Sequence, residues 1–153
     1  MCFVVVDDTH RPNLLMARPG KFHDAAKHAL EKDGWTIMHD PYNLRFNGKD
    51  FPIDIGAEKI LAAEKNGVKI AVEVKSFLRE STMNEYHTAL GQYINYLAEP
   101  SKQEPDRILY LALPDTAFTE LSTNTLFQLS MEIAPVRFIL FDETEEIITS
   151  WKD

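Results

Sequence analysis

Residues 59–75 read KILAAEKNGVKIAVEVK and decide the architecture of the chain. Two apolar runs flank Asn66-Gly67, a dipeptide typical of a two-residue β-turn because both of its positions readily adopt positive φ. A loop of this length fixes the register of the strands, so that Ile60 faces Glu73. The segment therefore predicts a β-hairpin whose second strand ends in Glu73-Val74-Lys75.

The segments around this hairpin predict helices and strands in alternation. Apolar residues at three- and four-residue spacing predict helices over 22–34, 82–99 and 116–133, where Thr82 and Glu85 fit a capping box at the start of the second. Short apolar runs predict further strands over 35–38, 107–113, 137–141 and 146–151. This order predicts an α/β fold in which helices flank a mixed central β-sheet.

Length and composition indicate one intracellular domain. The chain has 153 residues, of which 44% are hydrophobic and 26% charged, and Cys2 is its only cysteine. Without a second cysteine or an apolar run of about 18 residues, the sequence favours a cytoplasmic protein that does not span a membrane. Residues 1–20 lack periodicity and are interpreted as an N-terminal extension, either genuine or due to an early start codon. Residues 21–153 are interpreted as a single domain.

The charge of the chain is unevenly distributed. The formal net charge is −8, which argues against a protein that coats nucleic acid. Residues 1–80 carry 12 basic and 12 acidic side chains, whereas residues 81–153 carry 4 basic and 12 acidic ones. Most of the cations therefore lie in the half that contains the hairpin. The acidic half is interpreted as a solvated face, with partner binding as the alternative.

Glu73 and Lys75 are the first candidates for chemistry. Residues two apart on a strand point to the same face, so this carboxylate and this ammonium stand side by side. An ion pair on the solvent face of a hairpin is the simplest interpretation. The alternative is a site, because Glu58 falls opposite Lys75 in the predicted register and Asp54 lies at the mouth of the hairpin. Converging carboxylates bind Mg²⁺ or Mn²⁺ through oxygen.

The chain resembles the PD-(D/E)xK nuclease superfamily in this arrangement. Asp54, followed by Glu73-x-Lys75, matches the motif that names the superfamily, and Gln92-Tyr93-Ile94-Asn95-Tyr96 matches the Q-x-x-x-Y motif of its RecB-like branch. Longer stretches are similar to XisH, a cyanobacterial family named as the fdxN element excision controlling factor. These stretches are 32–35, 54–58, 71–77, 89–93 and 105–112.

The resemblance implies a restriction-endonuclease-like fold with an αβββαβ core and a Mg²⁺- or Mn²⁺-dependent site. It implies that Asp54 and Glu73 are metal ligands. It also implies that Lys75 acts on the nucleophilic water and that Gln92 supports the site. One position departs from the pattern. The Asn66-Gly67 register puts Ile60, rather than an aspartate, opposite Glu73. Either a bend near Gly56 returns Asp54 to the site, or Glu58 replaces it.

Three hypotheses about function follow. The first is a metal-dependent DNA endonuclease that acts with a site-specific recombinase in excision of a DNA element. The second is a catalytically silent regulatory or scaffold protein that binds the companion factor XisI or a recombinase. A nuclease toxin or defence component is the third. Dimers are common in the superfamily, so the resemblance also implies a homodimer as a state to test.

Overall fold

The alternation of helices and strands produces a mixed α/β fold. The computed structural model describes residues 19–42, 45–46, 49–50, 60–77, 81–98 and 104–153. The helices are α1 (Pro19–Lys32), α2 (Thr82–Ala98), α3 (Asp115–Ser122) and α4 (Thr125–Ile133). The strands are β1 (Thr36–His39), β2 (Arg45–Phe46), β3 (Lys49–Asp50), β4 (Ile60–Lys65), β5 (Val68–Val74), β6 (Arg107–Pro114), β7 (Phe138–Asp142) and β8 (Ile147–Lys152).

Six of these strands form one mixed sheet, in the order β1-β4-β5-β6-β7-β8. Strands β1, β4 and β5 are antiparallel neighbours, β5, β6 and β7 run parallel, and β8 is antiparallel to β7. Parallel neighbours need crossover connections, which α2 provides between β5 and β6, and α3 with α4 between β6 and β7. The predicted mixed sheet flanked by helices is confirmed. Strands β2 and β3 form a separate pair.

The hairpin has the predicted register. Asn66 and Gly67 both have positive φ, at 51° and 79°, and Ile60 pairs with Glu73 across β4 and β5. Strand β5 also pairs with β6 on its other side, where Glu73 lies beside Leu111. The end of β5 is therefore held by strands on both sides.

Two apolar layers enclose the sheet. Helix α1 covers one face through a core that includes Leu30, Leu61, Val72, Tyr110 and Phe141. The other face lies under α2, α3 and α4, with a core that includes Ala71, Tyr86, Leu109, Phe127 and Phe138. Because side chains alternate along a strand, Glu73 falls on the same face as Ala71 and lies under α2.

Several predictions fall outside the described residues. The proposed extension is described only at its end, in α1, so the division at residue 20 stays a prediction. Asp54, Gly56 and Glu58 also lie in the part of the chain that is not described. Within the described ranges, every helix is too short or too polar to cross a bilayer.

Candidate metal and catalytic site

The predicted Glu73, Lys75 and Gln92 come together at the end of β5. Lys75 Nζ lies 3.1 Å from Glu73 Oε1 and donates a hydrogen bond of 2.7 Å to Gln92 Oε1. The backbone amide of Lys75 donates to the carbonyl of Ala112 at 2.8 Å, which extends the pairing with β6 beyond Val74. Glu73 of β5, Lys75 directly after β5 and Gln92 of α2 thus form a compact polar cluster, here called the Glu73 cluster.

The Glu73 cluster is buried. The Glu73 side chain is 3% exposed and that of Lys75 13% exposed, and Gln92 is also buried. The interpretation of Glu73 and Lys75 as an ion pair on a solvent face is therefore wrong, because α2 covers this face of the hairpin. Charged groups lose hydration energy on burial, and each needs a partner or a cation to offset that cost.

Tyr96, the tyrosine of the Q-x-x-x-Y motif, lies close to the Glu73 cluster. It follows Gln92 by one helical turn and is buried. Burial raises the pKa of the Tyr96 hydroxyl, and the nearby Glu73 carboxylate raises it further. Tyr96 therefore stays protonated at neutral pH beside the carboxylate. The Q-x-x-x-Y spacing already contained this signal, since residues four apart share one helix face.

The described residues supply one carboxylate to this site. Among them, no three His, Cys, Asp or Glu side chains stand close enough to hold a metal ion. The proposed second ligand, Asp54 or Glu58, lies outside the described ranges. Both precede Ile60, the first residue of β4, in the sequence.

Two further polar clusters lie elsewhere among the described residues. His23 Nε2 lies 2.8 Å from Asp40 Oδ1, and Lys27 donates to Asp40 Oδ2 at 3.1 Å. Burial raises the pKa of Asp40, but the hydrogen bonds from His23 and Lys27 outweigh it, so that the net pKa is lowered. Because α1 carries His23 and covers the opposite face of the sheet, this cluster is separate from Gln92 on α2.

The second of these clusters surrounds Arg107, whose side chain is 2% exposed. Its guanidinium donates two hydrogen bonds to Glu104, at 2.9 and 3.0 Å, and one to the carbonyl of Ile70 at 2.9 Å. Tyr42 donates to the same carboxylate at 2.7 Å, and its ring packs against Arg107. These contacts fasten the loop before β6 to the sheet, so we assign Arg107 a structural role.

Comparison with known families agrees with the resemblance of the sequence motifs. The model of the XisH protein family matches residues 16–149, which is most of the chain. The chain belongs to the XisH family. A comparison with curated proteins finds no match.

Two solved structures are similar to this chain in fold and in sequence. An XisH family protein from Nostoc punctiforme PCC 73102 is 40% identical with a TM-score of 0.79, and the match covers 87% of this chain and 99% of that one. An fdxN element excision controlling factor protein from Anabaena variabilis is 41% identical, also with a TM-score of 0.79, and the match covers 88% of this chain and 99% of that one.

Proposed function

We propose that this XisH family member takes part in excision of a DNA element as a Mg²⁺-dependent endonuclease of the PD-(D/E)xK type. The buried Glu73 cluster carries the proposal, because it joins the glutamate and lysine of the motif to the glutamine of Q-x-x-x-Y. The XisH neighbour named as an fdxN element excision controlling factor supplies the biological setting. A restriction-endonuclease-like assignment of the fold is part of this proposal.

Each residue of the Glu73 cluster has a distinct part in the proposed reaction. As an ammonium, Lys75 would orient the attacking water molecule and stabilise the negative charge that develops on the phosphate. Gln92 fixes the direction of the Lys75 side chain by accepting its hydrogen bond. The backbone of β5 is held on both sides, so these groups are set in place before a substrate arrives.

A divalent cation fits the chemistry of this site. Glu73, with Asp54 or Glu58, would hold Mg²⁺ or Mn²⁺, which would act as a Lewis acid on the phosphodiester. The buried carboxylate of Glu73 supports this assignment, because hard cations prefer carboxylate oxygen. With only Glu73 and one further acid as protein ligands, the cation would keep coordination positions for water and phosphate.

A cleavage assay tests the proposal directly. We expect the protein to cleave single-stranded, duplex or branched DNA in Mg²⁺ or Mn²⁺, and Lys75→Ala to lower the rate by orders of magnitude. Lys69→Ala is the matched control, because Lys69 lies on the same strand and is 34% exposed. Equal rates for the wild-type and Lys75→Ala proteins would contradict the proposal.

The second candidate is a regulatory protein that binds an XisI-like companion or a site-specific recombinase without cleaving DNA. The charge of residues 81–153, with 4 basic and 12 acidic side chains, favours this alternative because it repels the DNA backbone. A wild-type protein that forms a stable complex with such a partner, and whose Lys75→Ala variant supports excision normally, would favour the regulatory function over the nuclease.

A further inference from the structure

The backbone of Phe77 has a left-handed conformation close to the Glu73 cluster. Its φ is 55°, a region that crowds the Cβ atom of an L-amino acid and is rare for a bulky side chain. Among the described residues, the other non-glycine residues with positive φ are Asn66 and Glu146, which lie in the turns of the β4–β5 and β7–β8 hairpins. Phe77 lies between a strand and a helix, so a hairpin turn does not explain its conformation.

The side chain of Phe77 is buried although it starts from this strained backbone. It is 9% exposed and belongs to the apolar core under α2 that also contains Ile60, Tyr93 and Tyr96. Glycine would adopt the same φ without steric cost, but it has no ring to pack. Burial of an aromatic ring stabilises a fold by as much as one left-handed residue destabilises it. Packing of the ring therefore offsets the strain and holds the turn in place.

This turn lies on the path that joins Lys75 to the helix covering it. Lys75 directly follows β5, and its amide donates to the carbonyl of Ala112. Helix α2 then brings Gln92 back over the same face of the sheet, where Gln92 Oε1 accepts from Lys75 Nζ at 2.7 Å. The chain must leave the strand and reverse after Lys75, and Phe77 is where the described part of this connection turns.

A lysine side chain needs a fixed base if its ammonium is to keep one position. Lysine has a flexible four-carbon stem and loses much rotamer entropy when it is held in place. The contacts of Lys75 Nζ with Glu73 at 3.1 Å and with Gln92 at 2.7 Å are both made from the far end of that stem. A shift of the backbone at Lys75 would therefore break both contacts.

We propose that Phe77 is a positioning residue for Lys75. The ring of Phe77, packed in the core under α2, clamps the left-handed turn after β5, and this turn keeps Lys75 Nζ between Glu73 and Gln92. Phe77 acts through Lys75 and touches neither DNA nor a metal ion in this role. The effect on cleavage rests on the proposed function, whereas the effect on the position of Lys75 does not.

Competitive acetylation measures the position of Lys75 without DNA or metal. The proteins are treated with limiting acetic anhydride at neutral pH, and mass spectrometry gives the rate at Lys75 relative to Lys69, a residue of the same strand whose side chain is 34% exposed. We expect Phe77→Ala to raise this ratio by about tenfold, because loss of one hydrogen bond from a charged donor has an effect of that order.

Further variants separate the ring from the turn and from general stability. Phe77→Gly adopts the left-handed φ freely but has no ring, so it should raise the acetylation ratio as Phe77→Ala does. Phe77→Leu keeps an apolar side chain in the core, so it should stay folded and give an intermediate ratio. Phe127→Ala is the matched control, because Phe127 is a buried aromatic residue of the same core and lies on α4. It should leave the ratio unchanged.

The outcomes distinguish a positioning role from simple packing. An unchanged ratio in Phe77→Gly would overturn the proposal, because the turn would then position Lys75 without the ring. An unchanged ratio in Phe77→Leu would overturn it as well. An equal rise in Phe127→Ala would also overturn it, because a general loosening of the core would then explain the reactivity of Lys75.

Cleavage kinetics test the consequence for the proposed nuclease. Phe77→Ala should lower kcat by about 10- to 100-fold and leave KM for DNA nearly unchanged, because it displaces a group that acts in the transition state. A wild type that does not cleave DNA would contradict the nuclease proposal and leave the acetylation result intact. A wild type that cleaves, with a Phe77→Ala variant that cleaves at the same rate, would contradict the positioning role alone.

Discussion

Lys75 Nζ and Glu73 Oε1 lie 3.1 Å apart in a position where the glutamate side chain is only 3% exposed. Desolvation of both charges opposes their attraction, so a buried pair of this kind contributes little net stability compared with apolar residues of the same size. The part of β5 that precedes this pair, Ile70 to Val72, is apolar and could be continued with such residues. Function therefore explains the pair better than stability does, and the proposed nuclease site gives it that function.

The energetics of this pair can be measured with a double-mutant cycle. Glu73→Gln and Lys75→Met should each lower the free energy of unfolding by about 2 to 4 kcal/mol, because each removes an attraction that offsets the desolvation of the remaining charge. The double variant should lose about 1 to 3 kcal/mol less free energy of unfolding than the sum of the losses in the two single variants. Urea denaturation measures all four proteins at neutral pH.

A more exposed ion pair with the same distance between nitrogen and oxygen is the control for this cycle. Lys27 Nζ lies 3.1 Å from Asp40 Oδ2, but its side chain is 33% exposed. Lys27→Met should cost no more than about 1 kcal/mol. Losses of that size for Glu73→Gln and Lys75→Met as well would contradict the burial of the Glu73 cluster.

The Glu104 and Arg107 pair predicts loss of stability in acid. The hydrogen bonds from Arg107 and Tyr42 lower the pKa of Glu104 to about 2, from an ordinary value of 4.5. A lowered carboxyl pKa stabilises the fold above the unfolded value and loses that contribution as pH falls towards the folded one. Solvent screens a carboxyl that keeps 30% exposure, so the contribution is about 1 to 2 kcal/mol.

Urea denaturation between pH 7 and pH 2 tests this linkage. Glu104→Gln should be less stable than the wild type at pH 7, and the difference should shrink as pH falls from about 4.5 to about 2. Asp106→Asn is the control, because Asp106 is an exposed acid in the same loop. A constant difference between the wild type and Glu104→Gln throughout this range would count against the ion pair.

Gly67 and Gly91 predict opposite effects on alanine substitution. Gly67 has a φ of 79° in the hairpin turn, so Gly67→Ala should lower the free energy of unfolding by about 1 to 2 kcal/mol. Gly91 has helical backbone and open space around its Cβ position, so Gly91→Ala should raise it by about 1 kcal/mol. Urea denaturation of the wild type and the two variants makes the comparison. Destabilisation by Gly91→Ala would show that the chain itself needs this glycine.

Local signals in the sequence were sufficient to predict most of the strands of the sheet. Asn66-Gly67 set the register of β4 and β5 because a two-residue turn allows only one pairing. The capping signal was wrong by one position: α2 begins at Thr82, and the Ser81 hydroxyl accepts from the Asn84 amide. The long predicted helix over 116–133 divides into α3 and α4, since Asn124 caps a new helix by accepting from the amides of Leu126 and Phe127.

Burial around the Glu73 cluster could not be predicted from local pattern. The face of β5 that carries Glu73 is covered by α2, and such a contact depends on tertiary packing rather than on residue spacing. For the same reason, apolar periodicity along α2 would place Ile94 and Leu97 in the core, but these are 50% and 44% exposed, whereas Gln92 and Tyr96 are buried. The motif resemblance identified Gln92 where hydrophobic periodicity did not.

Binding of Mn²⁺ at Glu73 is the most direct test of the central claim that this cluster is a metal-dependent nuclease site. Thermal unfolding of the wild type in millimolar Mn²⁺ should show a higher melting temperature than in EDTA, because a ligand at 100 times its Kd stabilises the folded form by about 2.7 kcal/mol. The Glu73→Gln protein should not respond, and whichever of Asp54→Asn and Glu58→Gln abolishes the response identifies the second ligand. A wild type whose melting temperature ignores Mn²⁺, or a Glu73→Gln protein that responds equally, would contradict the account.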